Sequence, residues 1–311
     1  MIRWLLGRLG RAVITLLLLI AFTFFALKIS ADPALQILGP DAGKEAVEAF
    51  RQKWGLNEPL WRQFLTYLAH VLQLDLGMSY RTNASALQLV LSRVPATLAL
   101  MIPTALVALA IGVPMGILAA YKRSTGWDRC ITLIAIVGFA IPNFLIGILL
   151  IYLFSVKLGW LPPSGIVDWR SFLMPMFTMA IAEAAIFARF TRSAMIEVLE
   201  HPMIETALAS GFTRGKVLLV HVLPNAGLPL LTIAGLFVGS LIGGGVVTEN
   251  VFSWPGTGRL LVESVGARDF TVVQCTVLLI GATMIVANLL VDVCYLWVDP
   301  RLRDAKWRSK S

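Results

Sequence analysis

Charged residues are scarce in this chain of 311 residues. Asp, Glu, Lys and Arg together make up 14% of the sequence and apolar residues make up 58%, whereas soluble proteins carry about 25% charged residues. Because so little polar surface is available, the composition excludes an ordinary soluble domain. The basic excess gives a net charge of +8, which we interpret as a signal for orientation in a membrane rather than for nucleic-acid binding.

Residues that usually form metal, redox or phosphate sites are also few. The three cysteines lie in or beside apolar runs at spacings that fit neither a metal site nor a redox motif, and the three histidines are scattered. Residues 39–45 and 211–217 superficially resemble a phosphate-binding loop, but both are too short and lack the hydroxyl residue after lysine. The sequence therefore predicts no catalytic residue, no metal site and no cofactor in this chain.

Long apolar runs dominate the sequence instead. A bilayer core of about 30 Å takes roughly 20 helical residues, and lipid offers the backbone no hydrogen bonds, so such runs cross as helices. We predict an all-α membrane protein with one domain over residues 1–311. Its six spans are expected at about 12–31, 95–120, 131–156, 172–192, 227–248 and 272–297.

Basic residues cluster on one side of the predicted bundle. If the amino terminus is cytoplasmic, the cytoplasmic segments are those before residue 12, at 121–130, at 193–226 and in the tail 298–311. They hold 13 of the 26 Lys and Arg, whereas the two short outside segments at 157–171 and 249–271 hold two each. The positive-inside bias therefore predicts that both termini are cytoplasmic. A signal peptide is the competing interpretation of the first span, but no small-residue cleavage site follows it.

The segment 32–94 differs from the other connections, because its charges are mixed and its apolar residues recur at helical spacing. One stripe runs through Val47 and Phe50, and a second runs through Phe64 and Val71. This pattern predicts a small extracytoplasmic helical cap after the first span, ahead of a five-helix core over 95–297.

The cytoplasmic segment 193–226 has the features of a short structured element. Pro202 and Glu205 suit the first turn of a helix, and Gly211 is a natural helix terminator. A second helix, capped by Thr213, is expected to end at Leu223-Pro224. We interpret this helix–glycine–helix element as a docking surface for a soluble partner, and a plain amphipathic connector remains the alternative.

Residues 205–211, Glu-Thr-Ala-Leu-Ala-Ser-Gly, with Leu-Pro at 223–224, resemble the EAA loop of ABC-transporter membrane subunits. Further motifs in matching order resemble the dipeptide/oligopeptide/nickel branch of ABC importer permeases over nearly the full chain. These motifs are Asp32-Pro33-Ala34, 55–60 (Gly-Leu-Asn-Glu-Pro-Leu), 75–79 (Asp-Leu-Gly-Met-Ser), 95–98 (Pro-Ala-Thr-Leu), 252–259 (Phe-Ser-Trp-Pro-Gly-Thr-Gly-Arg), 267–269 (Ala-Arg-Asp) and Asp299-Pro300-Arg301.

The resemblance implies a permease subunit of an ATP-driven importer in the bacterial inner membrane. Its cargo would be di- or oligopeptides, with nickel or metal-chelate complexes as the alternative, and an ATP-independent channel or carrier is the competing class. The implied partners are a second homologous permease, two cytoplasmic ATPase subunits that bind ATP and Mg, and an extracytoplasmic solute-binding protein. The implied ATPase-coupling residues are Glu205, Thr206, Ala207, Ala209, Ser210, Gly211, Leu223 and Pro224.

Three other residues are candidates for the translocation pathway. Glu183 lies near the middle of the fourth span, where a charge is costly and usually faces a cavity or a partner. It is expected either to contact a cationic group of the substrate or to bond, protonated, between helices. Asn143 either lines the pathway or bonds a neighbouring helix. Trp254 either lies near the pathway mouth or anchors its loop at the membrane interface.

Overall fold

The computed structural model describes residues 2–30, 34, 38–39, 42–53, 56–79 and 81–298. Over these residues every regular element is helical, apart from one isolated bridge between Met78 and Ser85. The motif residues Asp32-Pro33, Gly55 and Asp299-Pro300-Arg301 lie outside the described residues, as does nearly all of the predicted tail 298–311.

The helices follow one another in chain order, and some are extended by short turns of another helix type. They are α1 (Ile2–Ser30), α2 (Lys44–Lys53), α3 (Leu60–Leu72), α4 (Ala86–Tyr121), α5 (Gly126–Ala140), α6 (Asn143–Leu150), α7 (Leu173–Leu199), α8 (Pro202–Ala209), α9 (Arg214–Val217), α10 (Leu223–Ser240), α11 (Val246–Val251), α12 (Thr257–Gly266) and α13 (Phe270–Val298). The π-helical stretches Ile151–Lys157 and Leu218–Val222 follow α6 and α9, and a 3-10 turn, Trp169–Phe172, precedes α7.

Between four and six membrane crossings are present in the described part of the chain. Four helical stretches are long and apolar enough by themselves: Leu6–Ala26, Ala86–Tyr121, Trp169–Leu199 and Phe270–Cys294. Two bent pairs each add one more if the pair is one span: Gly126–Ala140 with Asn143–Lys157, and Arg214–Gly227 with Pro229–Ser240. The predicted all-helical membrane fold is therefore confirmed, and two of the predicted spans are not straight helices.

The third predicted span, 131–156, is broken at Ile141-Pro142, where its two arms meet at 92°. The residue before a proline is driven out of the helical region, and Ile141 accordingly has an extended ψ of 124°. The proline also lacks the N–H that would continue the helix. A single helix was therefore the wrong prediction here.

The second and fifth predicted spans differ from the structure at their ends. The second helix begins at Ala86 rather than at residue 95, and it continues past Pro95, Pro103 and Pro114. The fifth helix ends at Ser240 rather than at 248, because three consecutive glycines at 243–245 form a turn before α11. Glycine loses the most backbone freedom in a helix, so a run of three favours a break.

Helices α4 and α7 pack with their backbones in direct contact. A Cβ placed on Gly112 would lie 2.5 Å from the carbonyl oxygen of Ala184, and one on Gly116 would lie 2.5 Å from that of Ala188. Gly112 and Gly116 are four residues apart and therefore share one face of α4, the arrangement of a Gly-x-x-x-Gly contact. The two backbones touch there with no side chain of α4 between them.

Ion pairs join helix ends on the side of the bundle where α4 ends and α5 begins, which we call the basic side. The Arg192 guanidinium donates two hydrogen bonds to Asp128, at 2.6 and 2.9 Å. Arg123 pairs with Glu200 at 2.5 Å. Arg8 of α1 pairs with Asp292 of α13. These contacts tie the α4–α5 turn to the end of α7 and fasten the peripheral helix α1.

On the opposite side, a carboxylate holds together segments that are far apart in sequence. Glu249 is fully buried and accepts hydrogen bonds from the backbone N–H groups of Gly258 and Arg259, at 2.8 and 3.0 Å. Its other oxygen accepts the hydroxyl proton of Thr97 at 2.8 Å. Because a helix N-terminus leaves N–H groups without partners, Glu249 satisfies the start of α12 and links it to α4.

A second polar contact on the same side joins two of the sequence motifs. The hydroxyl of Ser79 donates to the carboxylate of Asp269 at 2.5 Å, and both residues are buried. Gly77 lies beside this contact at φ +83°, a conformation that favours glycine. The loop 75–79 is thereby fixed against the start of α13.

Replacing Gly116 with alanine should destabilise the protein, although Gly→Ala in a helix is otherwise stabilising by about 0.5–1 kcal/mol. The added methyl would force α4 away from α7, and overpacking costs about 1–3 kcal/mol. Thermal unfolding in detergent measures the effect. Gly10→Ala is the matched control, because a Cβ on Gly10 meets no atom within 4 Å. Equal melting temperatures for the two variants would contradict the packing described.

Replacing Glu249 with alanine should lower the free energy of unfolding by several kcal/mol. The substitution leaves buried donors of Thr97, Gly258 and Arg259 without their acceptor, and each unsatisfied group costs about 1–3 kcal/mol. Glu263→Ala is the control, since the exposed pair of Glu263 with Arg259 contributes about 0–1 kcal/mol. A Glu249 variant as stable as the Glu263 variant would show that the buried carboxylate is dispensable.

Candidate functional site

The candidate site is the connection between α7 and α10 on the basic side, and its first helix, α8, is specified locally. The His201 ring nitrogen Nδ1 accepts the N–H of Met203 at 3.3 Å, which caps the helix. Pro202 follows in the first turn, where its missing N–H is not needed. Glu205 lies at the same positive end of the helix, where a carboxylate is favourable.

Helix α8 ends in a Schellman motif centred on Gly211. The N–H of Gly211 donates to the carbonyl of Leu208 at 3.0 Å, and that of Phe212 donates to the carbonyl of Ala207 at 3.3 Å. Both are the hydrogen bonds of that motif, and Gly211 has the required positive φ, +87°. A Cβ on Gly211 would meet no atom within 4 Å, so glycine is needed there for conformation and not for space.

The connection is fastened to the bundle by an apolar cluster. Ile204 of α8 is buried together with Val217 and Val222, and all three pack with Ala120 at the end of α4 and Met195 near the end of α7. The cluster therefore rests on the two helices that the glycine contact holds together. Side chains of α8 are thereby part of one buried cluster with the ends of α4 and α7.

The other face of α8 and its turn are exposed. The exposed residues are Met203, Glu205, Thr206, Leu208, Ala209, Ser210, Gly211 and Phe212. The ammonium of Lys216 lies 4.9 Å from the centre of the Phe212 ring, and the His221 ring meets that ring edge-on at 5.7 Å. The exposed face thus combines small residues, one carboxylate and an aromatic ring stacked with a cation.

The second half of the connection differs from the prediction. Thr213 caps the next helix, with its hydroxyl accepting the N–H of Lys216 at 3.4 Å, but that helix does not stop at Leu223-Pro224. A π-helical turn at Leu218–Val222 leads directly into α10, which carries Pro224 in its first turn. The Asn225 side chain donates to the carbonyl of His221 at 2.6 Å. The prediction failed because Pro224 occupies a first-turn position, where its missing N–H costs least.

The eight predicted coupling residues have three placements: five lie on the exposed face, two pack on the apolar cluster, and Pro224 is exposed in the first turn of α10. Glu205, Thr206, Ala209, Ser210 and Gly211 share the exposed face, and Ala207 is half-buried against the apolar cluster. Leu223, which follows the π-helical stretch Leu218–Val222, also packs on that cluster, and the next residue, Pro224, is exposed. Ala207 and Leu223 are thus placed to hold the element on the bundle.

Two pathway candidates lie at helix positions within the membrane spans. Glu183 is half-buried in α7, and Asn143 is half-buried at the first position of α6, directly after the break at Pro142. Among the described residues no side chain or backbone group forms a hydrogen bond with either side chain. Both polar groups therefore remain available to a partner or a substrate.

Trp254 is placed differently from the two polar candidates. Its side chain is fully buried, its indole N–H donates to the carbonyl of Ala96 at 2.8 Å, and its ring meets Phe172 edge-on at 4.6 Å. The indole thus fills the interior of this chain, beside the segment that Glu249 fixes. In this conformation its contacts position the 252–259 loop.

Sequence reasoning missed Glu249, Asp128 and Phe212. For Glu249 a signal was present, because a lone carboxylate stands between an apolar helix and a glycine-rich turn at 256–258. Asp128 and Arg192 are 64 residues apart, so no local pattern links them. Phe212 directly follows Gly211, the glycine between the two predicted helices, and an aromatic residue in a polar turn was a usable signal.

Comparison with known proteins places the chain in a family. Residues 112–304 match the family model described as "Binding-protein-dependent transport system inner membrane component". Residues 1–101 match the model of the N-terminal part of such membrane components. The two matches together cover almost the whole chain.

Relatives of known role match over nearly their full length. The glutathione transport system permease protein GsiC of Escherichia coli (strain K12) is 40% identical over 304 residues, with 97% of this chain and 99% of the relative covered. GsiC of Salmonella paratyphi A is 41% identical over the same shares.

Solved structures share the fold at low sequence identity. A chain of the MetNI methionine ABC transporter in an inward-facing conformation superposes with a TM-score of 0.58 at 20% identity, covering 68% of this chain and 97% of that one. A second crystal form gives 0.56 at 19% identity, with the same coverage. The family matches and the relatives of 40–41% identity show that the chain belongs to the family of inner-membrane components of binding-protein-dependent ABC import systems, whose members are permeases and not enzymes.

Proposed function

We propose that this chain forms half of the translocation pathway for short peptides and that the element at residues 201–217 docks on a cytoplasmic ATPase subunit. The observation that carries the proposal is the division of that element into two faces. One face is exposed and rich in small residues, and the other is packed on the ends of α4 and α7. Such an element can receive a partner and pass its movement to the bundle.

The proposed orientation of the chain in the membrane rests on the basic residues in and around this element. The ion pairs and exposed basic residues of the basic side include Arg123, Arg192, Arg214 and Lys216. The positive-inside bias favours this side for the cytoplasm, where ATP is available. Both chain termini then face the cytoplasm, and the Glu249 region faces the solute-binding protein.

The other subunits of the transporter and its cargo are proposed from the family to which the chain belongs. Within its described residues no group of three His, Cys, Asp or Glu side chains could hold a metal ion, and ATP and Mg are assigned to two separate ATPase subunits. A second homologous permease would complete the pathway. The cargo is assigned to peptides because the relatives at 40% identity carry the name glutathione permease, and metal-chelate complexes are the second candidate.

Glu183 and Asn143 are the groups proposed to meet the cargo. A peptide carries an amine, an amide backbone and a carboxylate, so a carboxylate and an amide side chain without partners among the described residues suit it. A charge inside a membrane protein usually faces a cavity or a partner because burial in lipid is costly. Glu183 is accordingly proposed to contact the peptide amine.

Replacing Gly211 with alanine in the assembled transporter should lower the solute transported per ATP hydrolysed. The alanine disfavours the positive φ by about 1–2 kcal/mol without any clash, so the hinge geometry changes while α8 remains apolar on its buried face. Transport and ATP hydrolysis are measured together in liposomes containing all subunits.

Gly215→Ala is the matched control for the hinge. Gly215 lies four residues further on in α9, its added Cβ also meets no atom within 4 Å, and its φ is not positive. The control should keep the wild-type ratio of transport to hydrolysis. Identical ratios in all three proteins would refute the role of Gly211 in coupling.

Replacing Glu183 with glutamine should reduce uptake of a labelled dipeptide or glutathione while assembly is kept. The amide keeps the size of the side chain and removes the charge that would hold an amine. Glu197→Gln is the control, because Glu197 lies on the same helix and is exposed. Unchanged uptake with unchanged assembly would reject the pathway role, and selective uptake of a nickel chelate would reassign the cargo.

A further inference from the structure

Helix α3 carries an apolar stripe that the rest of the described chain leaves uncovered. Trp61, Leu65 and Leu72 are 64%, 53% and 76% exposed. With the half-buried Leu68 they recur at intervals of four, three and four residues, so they lie on one face of the helix. An exposed stripe of this kind on a membrane subunit points to an interaction surface.

The neighbouring face of α3 is already occupied by α1. The Phe64 ring lies 5.5 Å from that of Phe24 and 5.7 Å from that of Phe25. The Tyr67 ring stacks on that of Phe24 at 5.4 Å. These aromatic contacts fix where along α1 the helix α3 sits and leave the Trp61 stripe beside them.

That position coincides with the boundary of the membrane. The apolar stretch of α1, Leu6–Ala26, has 21 residues, which corresponds to about 32 Å of helix and matches a hydrocarbon core of about 30 Å. Phe24 and Phe25 lie in its last turn. Because α3 is fastened to that turn, it lies at the level where hydrocarbon meets the headgroups.

The remaining face of α3 is polar. Arg62, Thr66, His70 and Gln73 are all exposed and recur at intervals of four, four and three residues on the side away from Phe64 and Tyr67. With 13 residues, α3 is only about 20 Å long and is too short to cross the bilayer.

We infer that α3 is an interfacial amphipathic helix that lies along the membrane surface at the Ala26 end of α1, with Trp61, Leu65 and Leu72 inserted among the lipids. The lipid surface is the occupant because α3 is seated on the exposed flank of α1: Phe64 of α3 lies against Phe25, and Phe22 and Phe25 are 70% and 39% exposed. Trp61 suits this position because tryptophan is enriched at membrane interfaces. The polar face stays in water, as in other helices of this kind.

The orientation of α3 can be measured in the complete transporter in phosphatidylethanolamine and phosphatidylglycerol liposomes. The exposed Cys130 and Cys294 are first replaced with serine, and single nitroxide labels are placed at Leu65 or Leu72 and, as matched controls, at Thr66 or His70. Accessibility to oxygen and to an aqueous nickel chelate gives the depth of each label. The labels at Leu65 and Leu72 should lie about 5–10 Å below the headgroup surface, and the control labels should lie in water.

Two results would overturn the inference. Labels at Leu65 and Leu72 that are as accessible to the nickel chelate as the controls would place the stripe in water. Labels shielded from both oxygen and nickel would place a protein partner on it.

A second measurement avoids labelled variants. Lipids brominated in the acyl chain should quench a part of the tryptophan fluorescence that is missing in Trp61→Phe, and no difference between the two proteins would contradict the inference.

Discussion

The backbone contact between α4 and α7 is the constraint on which the remaining architecture depends. Gly112 and Gly116 present no side chain to α7, so the carbonyls of Ala184 and Ala188 can approach the backbone of α4 directly at these two positions. In a bilayer, where the lipid is as apolar as the helices, close packing of small residues is a main source of association. The two helices therefore form one closely packed unit.

Each end of that unit carries a contact that joins it to another part of the chain, apolar at the basic end and polar at the other. At the basic end, Ala120 and Met195 form the floor on which Ile204 of α8 is packed. At the other end, Thr97 of α4 bonds Glu249, which holds the start of α12. The apolar cluster under α8 and the contacts of Glu249 therefore lie at opposite ends of the same pair of helices.

Two breaks between helices lie outside this unit. Gly211 separates α8 from α9 at a positive φ, and Ile141-Pro142 separates α5 from α6 by a bend of 92°. The bidentate pair of Asp128 with Arg192 fastens the start of α5 to α7. The ion pair does not reach α6, which begins at Asn143 beyond the break at Ile141-Pro142.

Much of the architecture could be predicted from the sequence, because a membrane span is determined by the composition of about 20 consecutive residues and a helix cap by a few neighbouring residues. The helical membrane class, the first-turn position of Pro202, the capping role of Thr213 and the termination at Gly211 all rest on composition or on interactions within a few residues. Local sequence could not show that Pro142 would break its helix whereas Pro95 and Pro224 would be accommodated within theirs. A proline breaks a helix or is absorbed by it according to what packs around it, and that is decided by distant segments.

The polar contacts on the side opposite the basic side could not be predicted from the sequence for the same reason. Thr97 and Glu249 are 152 residues apart and Ser79 and Asp269 are 190 residues apart, so only the folded chain brings them together. The motifs at 75–79, 95–98, 252–259 and 267–269 had been noted separately as points of family resemblance. The structure explains them as pairs that fix loops to helix starts, and Trp254 belongs to the same structural group.

Hydrogen exchange of the amides at residues 203–216 tests the central claim most directly. It would be measured in the complete transporter and in the same membranes after the ATPase subunits have been stripped away. Exposed short helices exchange through local opening, so the account predicts that a bound ATPase slows exchange at α8 and its Gly211 turn and leaves α12 unchanged. Equal exchange at residues 203–216 in the two preparations would contradict it.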